Sequence, residues 1–540
     1  MRTKLMVFLT VILIFATVLA GCSGSDSNAE DKSGSNSGDN SGAKAKVKLT
    51  GIMVKHPLTK PLAEMEWLQK AEEAAGVDIE WQEITADWGQ KKGTMLASGD
   101  IPDLFVGGNV ITDADFAQFK GLFQDLSELI SQAPKVQEMF DTKPETKVIA
   151  TQPDGKIYGL PKYQRFWPAS ATRQFINQKW LDNLGLAMPT TWDELYEVLL
   201  AFKEKDANGN GDPNDEIPMD FPGGFGGFFN PAVLLGSEGI TLTDGSSQGY
   251  FVEEGKVKNF LTDERYKKLV VFLNKLNKAG LINPEVFTHD YTKYQSIARG
   301  EGDTAKVGFT WGWVASDRFG EQLAPQYASM SPLKVSADYT GKVSWSYDYN
   351  TLNYGTNHIV MSAKSKNKEA AMRFINELYN PVVSMQVLFG SIGPNIKDNG
   401  DGTYSVLPPT DTKMDPGTWK WTSSMADAGP MYIADTINLT LGKDMQEVLT
   451  QSEPLKSALE VNLEKDVFPG MFIKYSDADN NTMSLNNTNV TNLANTNFAK
   501  WVTKGGVETQ WDAYVKESIK AGLEQNIEIM QKYYDDYMSK

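Results

Sequence analysis

Cysteine is almost absent: Cys22 is the one thiol in 540 residues. No disulfide can form within the chain, so a disulfide-stapled scaffold and a dithiol redox centre are excluded. Histidine is nearly as scarce, and His56, His289 and His358 share no metal-ligand spacing, which argues against a zinc centre. A serine-nucleophile elbow and a phosphate-binding G-x-x-x-x-G-K-[ST] loop are not expected. Concentrated positive charge is lacking too. The net charge is −17, with no basic cluster, so nucleic acid is not a partner to expect. There is one long apolar run, LMVFLTVILIFATVLA (5–20), and it is short for a membrane span.

That run has the layout of a secretory signal. Arg2 and Lys4 precede it and LAGC (19–22) ends it. LAGC is similar to a lipobox, in which the Cys is lipidated and becomes the first residue after cleavage. Residues 1–21 are therefore expected to be a lipoprotein signal peptide, with Cys22 the lipidation site and the link to a lipid bilayer. Residues 22–46 follow, rich in Gly, Ser, Asp and Asn, with too little apolar surface to fold; a flexible tether is the simplest reading.

The remaining length exceeds one ordinary core, so two lobes are expected. VKLTGIMV (47–54) reads as a strand, 62–76 as an amphipathic helix closing at Gly76, and VDIEWQEI (77–84) as a strand. This β-α-β order predicts an α/β lobe with a parallel sheet. A helix is predicted at 92–99 and strands at 103–108, 154–164, 172–181, 306–313 and 356–362. Further helices are predicted at 190–205, capped by Thr190 or Thr191, at 264–282 and at 367–379. The Asn/Thr-rich stretch 470–497 reads as a long surface loop. Residues 507–537 read as two helices joined near Gly522.

Several stretches then carry a resemblance: LASGDIPDLF (96–105), DGKIYGLP (154–161), INQKWLDNLGLAMPTTWDEL (176–195), NHIVMSAKSKNKEAAMRFINELY (357–379) and WDAYVKESIKAGLEQNIEIMQKYYDDY (511–537). Together the chain resembles the extracellular solute-binding lipoproteins of carbohydrate ABC transporters, in the subgroup named for LplA, to which alginate-binding proteins are similar. The resemblance implies a type II periplasmic-binding-protein-like α/β fold. Two lobes, each a mostly parallel sheet flanked by helices, would enclose a ligand cleft. The implied division is 47–170 for the first lobe, 171–351 for the second, 352–400 returning to the first, and 401–540 returning to the second. It also implies hinge closure on a sugar, permease subunits as partners, and a monomer on the outer face of a bacterial, Gram-positive-type membrane.

DANGNGDPNDEIP (206–218) follows directly on a predicted helix. Asp206, Asn208 and Asn210 alternate with small residues, as in an EF-hand loop, and Gly209 and Gly211 permit tight turns. Position twelve, where that loop needs a bidentate Glu, is Ile217. The calcium ligands expected are Asp206, Asn208, Asn210, the carbonyl of Asp212, and Glu216 as an early closer, with Asn214 or Asp215 completing the shell. The acidic pair before Ile-Pro matches the resembled family, and the ion would be structural. The alternative is a polar turn that satisfies only itself.

Sugar sites pair aromatic platforms with polar groups, and the chain has 13 Trp and 20 Tyr. Trp67, Trp180, Trp192 and Trp511 read as core. Trp311 and Trp313 end a predicted strand, and the resemblance to maltose-type binding proteins makes Trp311 the first candidate platform. Trp345, Tyr347 and Tyr349 lie near the second expected lobe crossing, and Tyr163, Arg165 and Trp167 near the first. His56, Trp88, Gln90 and Asn109 follow early strands. Arg165 could meet a uronate carboxylate or serve a structural ion pair. The reading is a binding protein and not an enzyme. The alternatives are a surface polysaccharide hydrolase or lyase, and a co-sensor for a membrane kinase.

Overall fold

The computed structural model describes residues 46–108, 110–243, 245–300, 302–348, 353–412 and 414–539. Cys22 with its signal and tether, Asn109 and Tyr349 lie outside the described residues.

The strands in chain order are β1 (Val47–Val54), β2 (Val77–Ile84), β3 (Leu104–Val106), β4 (Gly159–Tyr163), β5 (Arg173–Asn177), β6 (Ile217–Met219), β7 (Tyr250–Glu253), β8 (Lys256–Asn259), β9 (Val307–Gly312), β10 (Tyr327–Ser329), β11 (Tyr354–Met361), β12 (Ile396–Asp398), β13 (Thr403–Val406) and β14 (Asn438–Thr440). One main sheet has the order β2-β1-β3-β11-β4, the other β10-β5-β9-β6. The predicted β-α-β unit is there. β1 pairs in parallel with β2, Val47 opposite Val77 through to Val54 opposite Ile84. The helix Glu66–Ala75 joins them, buries Trp67, Leu68, Ala71 and Ala75, and ends at Gly76 with φ 68°. Both sheets are mixed. β11 runs antiparallel to β3 and β4, and in the second sheet β6 and β9 are the parallel pair, with β5 antiparallel to β9 and β10.

Two cores lie against these sheets. The first takes residues from Leu49 to Tyr163 and again from Ile359 to Leu439. The second takes residues from Phe175 to Trp345 and again from Leu455 to Tyr534. By core membership the chain crosses after Tyr163, again between Trp345 and Tyr354, and last between Leu441 and Leu455, whereas the implied division puts that last crossing near 400. Residues 401–441, assigned above to the second lobe, belong with the first. The reason is local: Met431, Tyr432 and Ile433 lie beside β4, with Tyr163 N donating to Met431 O (2.9 Å) and Ile433 N to Tyr163 O (3.0 Å).

Residues 172–181 are a strand that turns at once into the helix Gln178–Leu184, capped by Asn177. Thr191 caps the helix Trp192–Glu204 by accepting from Glu194 N. The 470–497 stretch is no loop. Asp477–Lys504 is a 28-residue helix, capped by Ser476. Asn and Thr disfavour helix, but Met483, Val490, Ala494, Phe498, Trp501 and Val502 form one buried stripe along it. Tertiary burial overrides propensity here. Trp501 is fully buried, edge-on to Tyr514 at 4.8 Å. Trp501→Ala is expected to cost about 3–5 kcal/mol of unfolding free energy, read by urea denaturation. A cost under about 1 kcal/mol would mean the helix does not depend on this stripe.

Candidate functional site

The first and second crossings run side by side. Trp345 Nε1 donates to Thr172 O (2.7 Å). Asp348 N donates to Ala169 O and Gln164 N to Asn353 O (both 2.7 Å). Trp167, on the first crossing, meets Trp313, just past the end of β9. Their ring centroids are 4.9 Å apart at 74°, and both rings are half-buried. Val314, Met445 and Val448 form a small apolar cluster with them. Arg173 lies 4.9 Å from the Trp313 ring centroid, and Lys420 Nζ 4.7 Å from that of Trp167. This edge-to-face pair joins one core's crossing segment to the other core's strand end.

Charged groups back the pair. Asp427 accepts from Gln164 Nε2 (2.9 Å), Lys162 Nζ (3.4 Å) and Lys420 Nζ (3.4 Å). Burial pushes this carboxyl up, but the charges of Lys420 and Lys162 outweigh that and hold it at about 2. Burial, then the charge of Lys162, lowers the His358 imidazole to about 3. The helix Pro416–Ser423 carries Trp419, Lys420 and Trp421. His56 packs on Trp421 at 4.7 Å, and burial lowers its pKa. Trp419, Lys420, Trp421 and Asp427 are absent from the sequence candidates. The signal was there, in the cation-aromatic run WKW (419–421).

The other candidates scatter. Trp311 is fully buried in the second core, against Phe309 (4.9 Å) and Phe221 (6.5 Å). Every residue of β9 is buried, so Trp311 offers no free face to a ligand; the strand-end position belongs to Trp313. Trp345, 1 % exposed, pins the two crossings. Tyr163 is buried, donating to Asp435 Oδ1 (3.0 Å) with Lys143 over its ring. Arg165 is exposed, but its guanidinium donates to the carbonyls of Asp435 (2.9 Å) and Ile437 (2.8 Å). It clamps a loop, which is the structural alternative, although through carbonyls and not an ion pair. Tyr347 is half-buried beside Leu242. Trp88 Nε1 donates to Val110 O (2.8 Å), and Gln90 is exposed. Trp67, Trp180, Trp192 and Trp511 are core, as expected.

The G-x-S-x-G spacing does occur once, at 245–249, contrary to the sequence expectation. A strand follows it, β7, and not the helix an elbow requires. Ser246 O accepts from Gly227 N (2.9 Å), and the segment is a turn.

In the 206–216 loop Gly209 and Gly211 take φ of 75° and 92°. Asp206 Oδ1 accepts from Gly209 N (2.8 Å) and Oδ2 from Gly211 N (2.8 Å). Asn208 Oδ1 accepts from Asn210 N (2.9 Å), and Asn210 Oδ1 from Asp212 N (2.7 Å). Asp215 accepts the side-chain amides of Asn208 and Asn210 (2.8 Å each), and Asn214 donates to Asp212. Glu216 Oε1 accepts from Ala207 N (2.9 Å), while Oε2 is buried without a partner. Burial raises the Glu216 carboxyl. No cluster of three or more His, Cys, Asp or Glu side chains poised for a metal occurs among the described residues. The loop's acceptors are hard oxygens, the donor type calcium takes, and Glu216 Oε2 is the loop's buried carboxylate oxygen without a partner.

Beside the seam, Asp317 and Asp415 share Arg299, which donates to Asp415 Oδ2 (3.0 Å) and Asp317 O (2.7 Å). Burial, then the charge of Asp415, raises the Asp317 carboxyl from 3.8 to about 6. Between those values the folded chain keeps a proton that the unfolded chain releases. This group's contribution to stability therefore falls as pH rises through that window, and the penalty is complete above it. Asp317→Asn is expected to flatten this part of the stability profile and to raise stability at neutral pH by about 1–3 kcal/mol. Melting curves from about pH 4 to 7 check it; an unchanged slope would refute the assignment.

Two cores joined by adjacent crossings, with an aromatic pair at the seam, define a two-lobe binding protein of the type II α/β architecture. Residues 57–384 match the bacterial extracellular solute-binding protein family, and the chain belongs to that family. It is 30% identical over 567 aligned positions to FusA, the fructooligosaccharide ABC transporter substrate-binding protein of Streptococcus pneumoniae serotype 4, covering 99% of this chain and 98% of FusA. It is 29% identical to the polygalacturonan/rhamnogalacturonan-binding protein YtcQ of Bacillus subtilis, over 54% of each chain. Among solved structures, an HMO-binding ABC-transporter-associated solute-binding protein from Bifidobacterium longum infantis superposes with TM-score 0.81 at 32% identity, covering 92% of this chain and 100% of that one. FusA of S. pneumoniae in complex with kestose gives TM-score 0.82 at 27% identity, covering 91% and 99%.

Proposed function

We propose that this chain is the extracellular receptor of an ABC importer and that its cargo is an oligosaccharide, which it binds without turning it over. The end-to-end match to FusA carries the reading, and the Trp167–Trp313 pair fits it. Sugar C–H faces pack on aromatic rings, and a half-buried pair at a seam between lobes is where hinge closure would grip one. Trp419, Trp421 and His56 would extend the apolar wall. In this reading lipidated Cys22 holds the receptor to the outer face of the membrane, beside the permease subunits it feeds.

Calorimetry against neutral and acidic oligosaccharides tests the reading. Binding without product formation is expected, weakened about 10–100-fold in Trp313→Ala, as for loss of a buried aromatic anchor. Product release, or binding of peptides in place of sugars, would overturn it.

The same reading gives the 206–216 loop a calcium ion, held by Asp206, Asn208, Asn210, Asp212 and Glu216. One solved FusA structure is an EF-hand mutant in complex with fructo-nystose. The ion would supply charge that the clustered carboxylates need and would brace the second core beside the helix Trp192–Glu204. A chelator is expected to lower the melting temperature by several degrees, about 1–3 kcal/mol, and Glu216→Gln to abolish that difference. Identical melting with and without chelator would leave the loop a self-satisfied turn.

A further inference from the structure

Resting on the oligosaccharide reading, the geometry points to an uncharged oligosaccharide, in preference to a uronate, as the cargo of the Trp167–Trp313 seam. Uronate recognition needs a cation that can turn to the ligand's carboxylate. Among the described residues, each cation at the pair is already committed to a protein acceptor. Lys420 lies over Trp167 and donates to Asp427. Lys162, 4 % exposed, donates to the same carboxylate and to Asp427 O (3.1 Å). Arg173, fully buried, donates to Trp313 O (2.6 Å), Ser170 O (3.1 Å) and Ser452 Oγ (3.0 Å). Arg165 holds the carbonyls of Asp435 and Ile437. On the side of the pair where Met445 and Val448 pack, Lys443 pairs with Glu321 and Glu447. A uronate would have to draw Lys420, itself buried, away from the half-buried Asp427 carboxylate and leave that network short of charge, which is costly. A neutral sugar makes no such demand and still meets the aromatic faces.

The test is calorimetry of the full chain with neutral trisaccharides and with trigalacturonate, at salt of about 0.1 M and about 1 M, where the Debye length falls from about 10 Å to about 3 Å. Neutral binding insensitive to salt, with trigalacturonate at least tenfold weaker at both salts, is expected. Asp427→Asn removes the carboxylate charge that Lys162 and Lys420 share and is expected to narrow that gap at least tenfold at low salt. Trigalacturonate binding as tightly as the neutral sugars overturns the inference and leaves the oligosaccharide reading standing. Binding of neither class overturns both. A gap that vanishes at high salt assigns the discrimination to the chain's overall negative charge and overturns the local argument. So does a folded Asp427→Asn protein with an unchanged gap. Should that variant not fold, the wild-type panel alone decides.

Discussion

The guanidinium of Arg173 is the fixed point of the molecule. It sits where β5 begins, just past the first crossing, and it is fully buried. It gathers carbonyls of Ser170 and Ala171 from the first crossing, that of Trp313 from the end of β9, and the hydroxyl of Ser452 from the last. Burying a guanidinium is tolerable only when its donors are met. Satisfying these donors draws two crossings and a strand end to one spot. Trp345, on the second crossing, is tied to Thr172 next to it. Backbone carbonyls and one hydroxyl thus converge on a planar cation where the crossings meet.

That arrangement shapes the seam. Around the packed crossings lie half-buried rings and charges turned inward on one another. Lys162, Lys420 and Asp427 form one closed system, Arg299, Asp317 and Asp415 a second, and Arg318 with Asp220 a third, under the Tyr294 ring. Such networks are sensitive to any change that unpairs a member. In the proposed reading they would brace the residues around the Trp167–Trp313 pair.

Much of this was legible in sequence where local and global signals agree. The β1–helix–β2 unit, the Thr191 cap and the Gly522 joint all rest on patterns a few residues long. Three features were not legible, each because distant partners decide it. The Asn/Thr-rich helix is helical only because its sparse apolar residues meet the second core. Residues 401–441 return to the first core because Tyr163 supplies a strand edge far upstream. Trp311 and Trp313 look alike in sequence, yet β9 is covered on both faces and ends between them. The helix Pro416–Ser423 reaches the seam only through contacts far away in sequence, Lys420 with Trp167 and Trp421 with His56, which no local pattern reveals.

The strand order has a consequence for how the chain comes to be folded. β11 sits between β3 and β4 in the first sheet, with Met361 opposite Leu104. Until it arrives, β3 and β4 present open hydrogen-bonding edges, the kind that recruit other chains. Contacts of such long sequence separation form slowly, since a large loop must close before they are rewarded. During synthesis the amino-terminal lobe therefore waits, incomplete and adhesive, for a strand encoded some 250 residues later. A chain stopped anywhere before β11 would be a template for aggregation and not half a receptor.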